Sequence, residues 1–256
     1  MNLNRLAYYA ASSFGLEGLV ASELKRLHIS EVHAENGGVR FTASLEEGFL
    51  CNLRLRFSDR VYILLAEGDT HSFEDLYQLV SSIPWESLTA GTEQFLLSAQ
   101  CARSQLMSPR DCQSVSKKAI LERLKSRTHR TVFPESGAVF PVHVHIHANR
   151  TLILLNTSGA SLSRRGYRTW NGEAPLRETL AAALVEMSPW RPGMPLYDPC
   201  CGTGTLLIEA AHRQGHMAPG RHRSFAMEAF SFFPTQPGRE IRAQILDDCQ
   251  PHRIDQ

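Results

Sequence analysis

The 256-residue chain reads as an α/β protein with an α+β N-terminal part. Three observations predict this class. Apolar positions alternate between strand-like and helix-like spacing from the N-terminus onward. The first sixty residues give the order β-α-β-β-α-β, the split βαβ or ferredoxin-like arrangement. Finally, the run from Leu196 to Ala211 reads as a short apolar strand, a turn with two glycines and an amphipathic helix.

Each element has its own signal. Residues 6–11 are apolar and strand-like, and 14–27 place Leu16, Leu19, Val20, Leu24 and Leu27 at helical spacing. Residues 31–35 and 39–43 flank Asn36-Gly37-Gly38, whose residue types supply the positive φ that tight hairpins need. Helical periodicity returns over 45–57, and 61–66 is another apolar strand. A second α/β unit follows, beginning with a helix over 72–83 with Ser72 as N-cap and Pro84 as its stop. Residues 94–102 read as a strand and 111–127 as a long helix with Val115, Ala119, Ile120 and Leu124 on one face. Residues 140–147 and 151–156 make a hairpin around Ala148-Asn149-Arg150. A loop over 159–168 leads to a helix over 174–187, with Pro175 in its first turn and Pro189 past its end. Farther on, 215–223 and 232–238 read as loops and 239–246 as a helix.

Composition narrows the class further. A hydrophobic fraction of 43% with 21% charged residues excludes a disordered chain. No apolar run approaches membrane-spanning length, and residues 1–5 lead into no signal-peptide core. The six cysteines show no CxxC pair, so reduced thiols and a cytoplasmic location are expected, with Cys200 and Cys201 as small fillers of their turn. The near-neutral total hides an asymmetry: residues 1–100 carry 7 basic and 13 acidic side chains, whereas 101–170 carry 12 basic and 3 acidic. Such a middle block suits a polyanion, because neutralising phosphates releases counterions.

Within that block Arg103, Arg110, Lys117, Lys118, Arg123, Lys125, Arg127 and Arg130, together with Ser104, suit phosphate and sugar contacts. Nothing there reads base identity, so RNA shape or a single-stranded element is the expected target. Arg164, Arg165 and Arg168 surround Tyr167. They either hold a substrate backbone or pair with local carboxylates in an interdomain linker. His143, His145 and His147 share one face of a strand, but with no cysteine pair or nearby carboxylate a metal site is not expected.

The segment Asp198-Pro199-Cys200-Cys201-Gly202-Thr203-Gly204-Thr205 is the most specific feature. An acid at a strand end and bare backbone at Gly202 and Gly204 let a nucleotide-like cofactor lie against the turn. Thr203 or Thr205 is expected to cap the helix. There is no P-loop lysine, and Leu207 occupies the third-glycine position of a dinucleotide fingerprint, so both of those motifs are excluded.

This turn resembles the first motif of class I S-adenosylmethionine-dependent methyltransferases. Three further stretches, Ala102-Arg103-Ser104-Gln105-Leu106, 111–120, and 161–168 with 174–182, extend the likeness along nearly the whole chain. Together they resemble the THUMP-domain RNA methyltransferases that modify guanine N2 in 23S ribosomal RNA. The resemblance implies a ferredoxin-like domain over 1–60, a THUMP RNA-binding domain over 61–160 and the start of a Rossmann-like methyltransferase domain over 161–256. It implies S-adenosylmethionine as cofactor, held by Asp198, Pro199, Cys200, Gly202 and Gly204, with Thr203, Thr205 and Thr179 as secondary contacts. It also implies RNA contacts at Arg103, Ser104, Lys117 and Lys118, and 23S ribosomal RNA or a ribosomal precursor as partner.

One departure stands out. The family's Asn/Asp-Pro-Pro-Tyr/Phe motif, which grips and stacks the extruded base, is absent from these 256 residues, so no catalytic residue is assigned. The acid that should bind the cofactor ribose is not identifiable either, since Asp247 and Asp248 follow a helix. Few residues after Gly204 are strand-like. The catalytic domain is therefore expected to be incomplete, and either poorly stabilised or completed by a second polypeptide. A non-catalytic binder of structured RNA and a DNA adenine methyltransferase remain as alternatives.

Overall fold

The computed structural model describes residues 4–130, 132–168 and 175–248. From the N-terminus it builds β1 (Leu6–Ser12), α1 (Glu17–Arg26), β2 (Ser30–Glu35), β3 (Gly38–Ala43), α2 (Leu45–Arg54) and β4 (Ser58–Asp69). Then come α3 (Phe73–Ser82), β5 (Gln94–Ala102), α4 (Pro109–Thr128), β6 (Val139–His147) and β7 (Arg150–Asn156). The remainder holds α5 (Glu178–Met187), α6 (Thr205–Gln214) and α7 (Thr235–Asp248).

Local chemistry explains the boundaries. Glu35 pairs with Gly38 across a two-residue turn in which Gly37 has φ +87°. Ser44 and Ser72 each cap a helix and are answered by Glu47 and Asp75, whose carboxylates accept from the cap N–H. Ser108 caps α4 and Pro109 opens it, where a missing N–H costs nothing.

The strands form one mixed sheet in the order β2-β3-β1-β4-β7-β6-β5. Only β5 and β6 are parallel, joined by α4 as a crossover. The first four strands keep the ferredoxin-like order. β4 then continues past the expected boundary at residue 60: it pairs with β1 on one side (Tyr8 with Ile63) and with β7 on the other (Asp69 with Arg150). Two units thus share a strand. Helices α1 to α4 bury Val20, Leu24, Phe49, Leu53, Leu76, Val80, Ile120 and Leu124 against alternate strand residues such as Tyr8, Ile63, Val144 and Ile153, in one continuous core. On the opposite face Tyr9, Tyr62, Leu152 and Leu154 form a separate small cluster.

The segment after α6 returns to that main core. Phe225 and Phe233 meet Phe49 with ring centroids 5.8 and 5.3 Å apart, and Phe230 meets Phe140 at 5.0 Å. Buried Asn52 fastens the same junction. Its amide donates to Gly48 O and Thr157 Oγ1, and its carbonyl oxygen accepts from Ser158 Oγ.

Several sequence expectations are corrected. Leu196 to Asp198 form no strand, and Tyr197 is 88% exposed. A strand needs a ladder partner for its N–H and C=O groups, and the described residues after it provide only helices and loops. The helix expected over 174–187 begins at Glu178, with Ala174 outside the described residues. The loop expected over 232–238 is already helical from Thr235. Pro237 falls in the first turn, where its lack of an N–H is harmless, and Asp247 and Asp248 belong to the same helix. Among the described residues no helix is long and apolar enough to cross a membrane.

Candidate functional site

The turn before α6 is open. Gly202 and Gly204 have φ +53° and +73°, and a Cβ built on either would meet nothing within 4 Å. Both left-handed backbone and vacant space in front of it therefore favour glycine. Asp198 Oδ1 accepts from Cys200 N at 3.0 Å, and Gly204 N donates to Cys201 O at 2.7 Å, which fixes the loop. Gly204 itself is the N-cap and no side chain caps α6, so neither Thr203 nor Thr205 takes the expected capping role. Their hydroxyls instead lie 3.1 Å from each other. Pro199, Cys200 and Cys201 are exposed, so the two cysteines do not fill the turn.

Behind the turn lies a buried ionic joint. Arg168 donates through Nη2 to Thr205 Oγ1 and to Leu176 O, and its Nε lies 3.1 Å from Glu178 Oε1. One turn into α6, the fully buried Glu209 side chain meets Arg165 Nε at 3.1 Å and Arg56 Nη1 at 3.6 Å, and accepts from Tyr167 OH at 3.0 Å. Burial raises the Glu209 carboxyl above its ordinary range, against the pull of Arg165 and Arg56. Of the two readings left open for the arginines, Arg165 and Arg168 follow the second. Both pair with carboxylates, and Arg165 is 2% exposed, so they are corrected from RNA contacts to scaffold. Arg164 alone of the three is exposed. Thr179 is likewise corrected: it is buried and its hydroxyl is spent on Asp59 Oδ1, to which it donates at 3.1 Å.

The basic module divides in a similar way. Arg110, Lys118 and Lys125 fall within about 80° of arc on α4 at roughly 100° per residue, away from the buried Cys112, Ser116, Ala119 and Ile120, while Lys117 lies at the edge of that surface beside the buried Leu124. Lys117 leans on Glu135 at 2.7 Å and Lys118 lies 3.9 Å from Glu122; Lys118 stays mostly exposed. Arg103 stands exposed at φ +49° after β5, beside Ser104, whose hydroxyl donates to Asn149 Oδ1 at 2.9 Å. Arg123 is not part of this surface. It is bidentate to Glu86, whose carboxyl it holds down at about 2. The sequence did not single out Arg56, Glu209 or Asp59. A carboxylate inside the apolar run Leu206-Leu207-Ile208-Glu209-Ala210 was the one available signal.

Comparison with known proteins follows the same order along the chain. The RlmL ferredoxin-like domain matches residues 7–62, the THUMP domain 70–156, and the RMKL-like methyltransferase domain 165–253. YpsC of Bacillus subtilis, named as a candidate RNA methyltransferase, is 34% identical over 245 residues, which is 95% of this chain and 63% of YpsC. The ribosomal RNA large subunit methyltransferase K/L of Photobacterium profundum is 34% identical over 239 residues, covering 93% of this chain and 34% of the relative. The chain therefore spans under two thirds of the one and about a third of the other. Among solved structures, SMU.472, described as a candidate methyltransferase complexed with SAH, superposes with a TM-score of 0.91 at 34% identity, covering 98% of this chain and 66% of that one. With three domain models matched in series, the chain carries an RlmL ferredoxin-like domain, a THUMP domain and an RMKL-like methyltransferase domain, in that order.

Proposed function

We propose that this chain is the RNA-gripping and cofactor-docking part of an S-adenosylmethionine-dependent methyltransferase acting on ribosomal RNA in the cytoplasm. The observation that carries this reading is the open turn at Gly202 and Gly204, clamped from behind by Arg168, Glu178 and Thr205. Asp198, Gly202, Thr203, Gly204 and the first N–H groups of α6 would hold the cofactor, which supplies an electrophilic methyl group. The chain's own part is to leave space for it, meet its polar atoms with backbone donors, and keep the turn fixed relative to the RNA surface. Arg103, Arg110, Lys118 and Lys125 supply sequence-independent phosphate contacts. The working units are 1–60, 61–160 and 161–256, the first two sharing a sheet. Guanine N2 of 23S ribosomal RNA is the finer target we infer.

Calorimetry with S-adenosylmethionine tests the reading. The wild-type chain is expected to bind saturably. Gly204→Val is expected to bind at least about tenfold more weakly, since a β-branched side chain at positive φ costs roughly 1–2 kcal/mol and fills the ligand's space. No heat at millimolar cofactor would leave a non-catalytic RNA-binding protein as the better description.

A further inference from the structure

Among the described residues no α-helix packs on the second face of the sheet, yet it is not a plain solvated face. It curves into a trough of about 1240 Å³ that runs from β3 to β5, lined by Tyr9, Arg40, Arg60, Tyr62, His143 and His145 among others. That volume exceeds the roughly 300–1,000 Å³ of a small-molecule pocket, which points to an extended occupant. Planar side chains stand in a row along it. The Tyr62 and His143 rings are 6.0 Å apart at 29°, and His143 and His145 are 6.2 Å apart at 34°. Tyr62 is almost buried and backs the row, while the half-buried imidazoles are its accessible members. Burial pushes His143 down to about 4 and lowers His145 as well, so both rings are neutral near pH 7 and offer flat π-faces.

Cationic donors flank the row. Arg60 reaches Gly159 O with Nε, and Arg150 stands at the β7 end, 3.0 Å from Glu67. Arg40 is tied through Nε to Glu35 and through Nη1 to Glu67, and its Nη2 is buried with no acceptor. The acids that line the trough are already engaged: Glu35 by Arg40, and Asp59 by Thr179 and Arg177. An occupant therefore meets stacking surfaces on the floor and guanidinium donors at the side.

We infer that this trough binds an unpaired RNA strand, with bases against His143 and His145 and phosphates toward Arg60, Arg40 and Arg150, as a site separate from the basic face of α4. The inference rests on the RNA reading given above and names the strandedness of the second contact. Duplex RNA cannot use it, because its bases are already stacked on one another.

The test uses the full chain and two fluorescein-labelled probes of about eight nucleotides, an oligouridine strand and a duplex, within the site size usual for strand-binding sheets. His145→Ala and Arg60→Ala are each expected to weaken oligouridine binding roughly 5–10-fold, as loss of a stacking or phosphate contact does, and duplex binding less than about twofold. Lys118→Glu should weaken both probes. A 4-thiouridine strand should crosslink to the peptide spanning 142–154 in the wild-type chain, a readout that needs no variant to fold. Crosslinks confined to α4, or oligouridine affinity unmoved by both trough variants while Lys118→Glu lowers it, overturn the trough and leave the RNA reading standing. Absence of binding to either probe removes both. A concentration-dependent dimer dispersed by His145→Ala would make the occupant a second copy of the chain and would also overturn the proposal.

Discussion

Glu23 is a buried acid on α1. Its carboxylate accepts from Arg56 N at 2.9 and 3.0 Å and from Phe57 N at 3.2 Å, and burial still pushes it up to about 7 from an ordinary 4.5. Between those values the folded chain holds a proton that the unfolded chain has lost. Glu23 therefore favours folding at low pH, and that contribution fades as pH rises through 7. His143 and His212 act in the opposite sense. Burial lowers both to about 4, so their contribution is present above 6.5 and fades as pH falls. Glu23→Gln removes the first effect alone. Urea unfolding should then show stability at pH 8 gaining on stability at pH 5 by about 2–3 kcal/mol relative to wild type. An unchanged difference would mean that Glu23 is ionised throughout.

At the scale of single elements, helix starts are local chemistry, and they are the easiest part to test. Ser72→Ala removes an oxygen that accepts from Asp75 N at 3.1 Å, and is expected to cost about 1 kcal/mol in thermal or denaturant unfolding without altering RNA binding. Local chemistry is also what the sequence conveyed. The bounds of β5, the Ser72 cap, the Asn36-Gly37 hairpin and the bare backbone at Gly202 and Gly204 all depend on near neighbours, and all were legible. What failed depended on distant partners. A strand at 196–198 needs a neighbouring strand, which no local pattern reveals. Whether Arg165 faces RNA or scaffold depends on Glu209 and Arg56, far away along the chain. Arg168 and Thr179 failed for the same reason, each spent on a carboxylate that only folding brings near. The start of α7 was missed differently: Pro237-Gly238 reads as a loop, although in the first turn of a helix a proline is tolerated.

Across the whole molecule, the described part of the C-terminal segment is unevenly anchored. Residues 218–248 place Ala218, Phe225, Met227, Phe230, Phe233 and Ile245 in the main core, and Arg242 lies 5.3 Å over the Phe49 ring. By contrast, 191–197 is exposed throughout, including Met194 and Tyr197. Within 175–248, limited digestion with chymotrypsin should therefore cut first after Tyr197, whereas Arg191 is shielded from trypsin by Pro192 and Arg223 and Arg242 should resist it through their docking. Early cleavage at Arg242 would contradict the docking of α7.

The strand common to both N-terminal units has a mechanical corollary. Modules joined by a tether can swivel, but these two are woven through β4, so the attitude of the α4 cations toward the first half is set by backbone pairing alone. Such a weave cannot be cut cleanly. A fragment comprising 70–156 would bare one flank of β7, and raw flanks of that kind seek their own likeness; expressed by itself, the excised piece should stick to itself flank to flank.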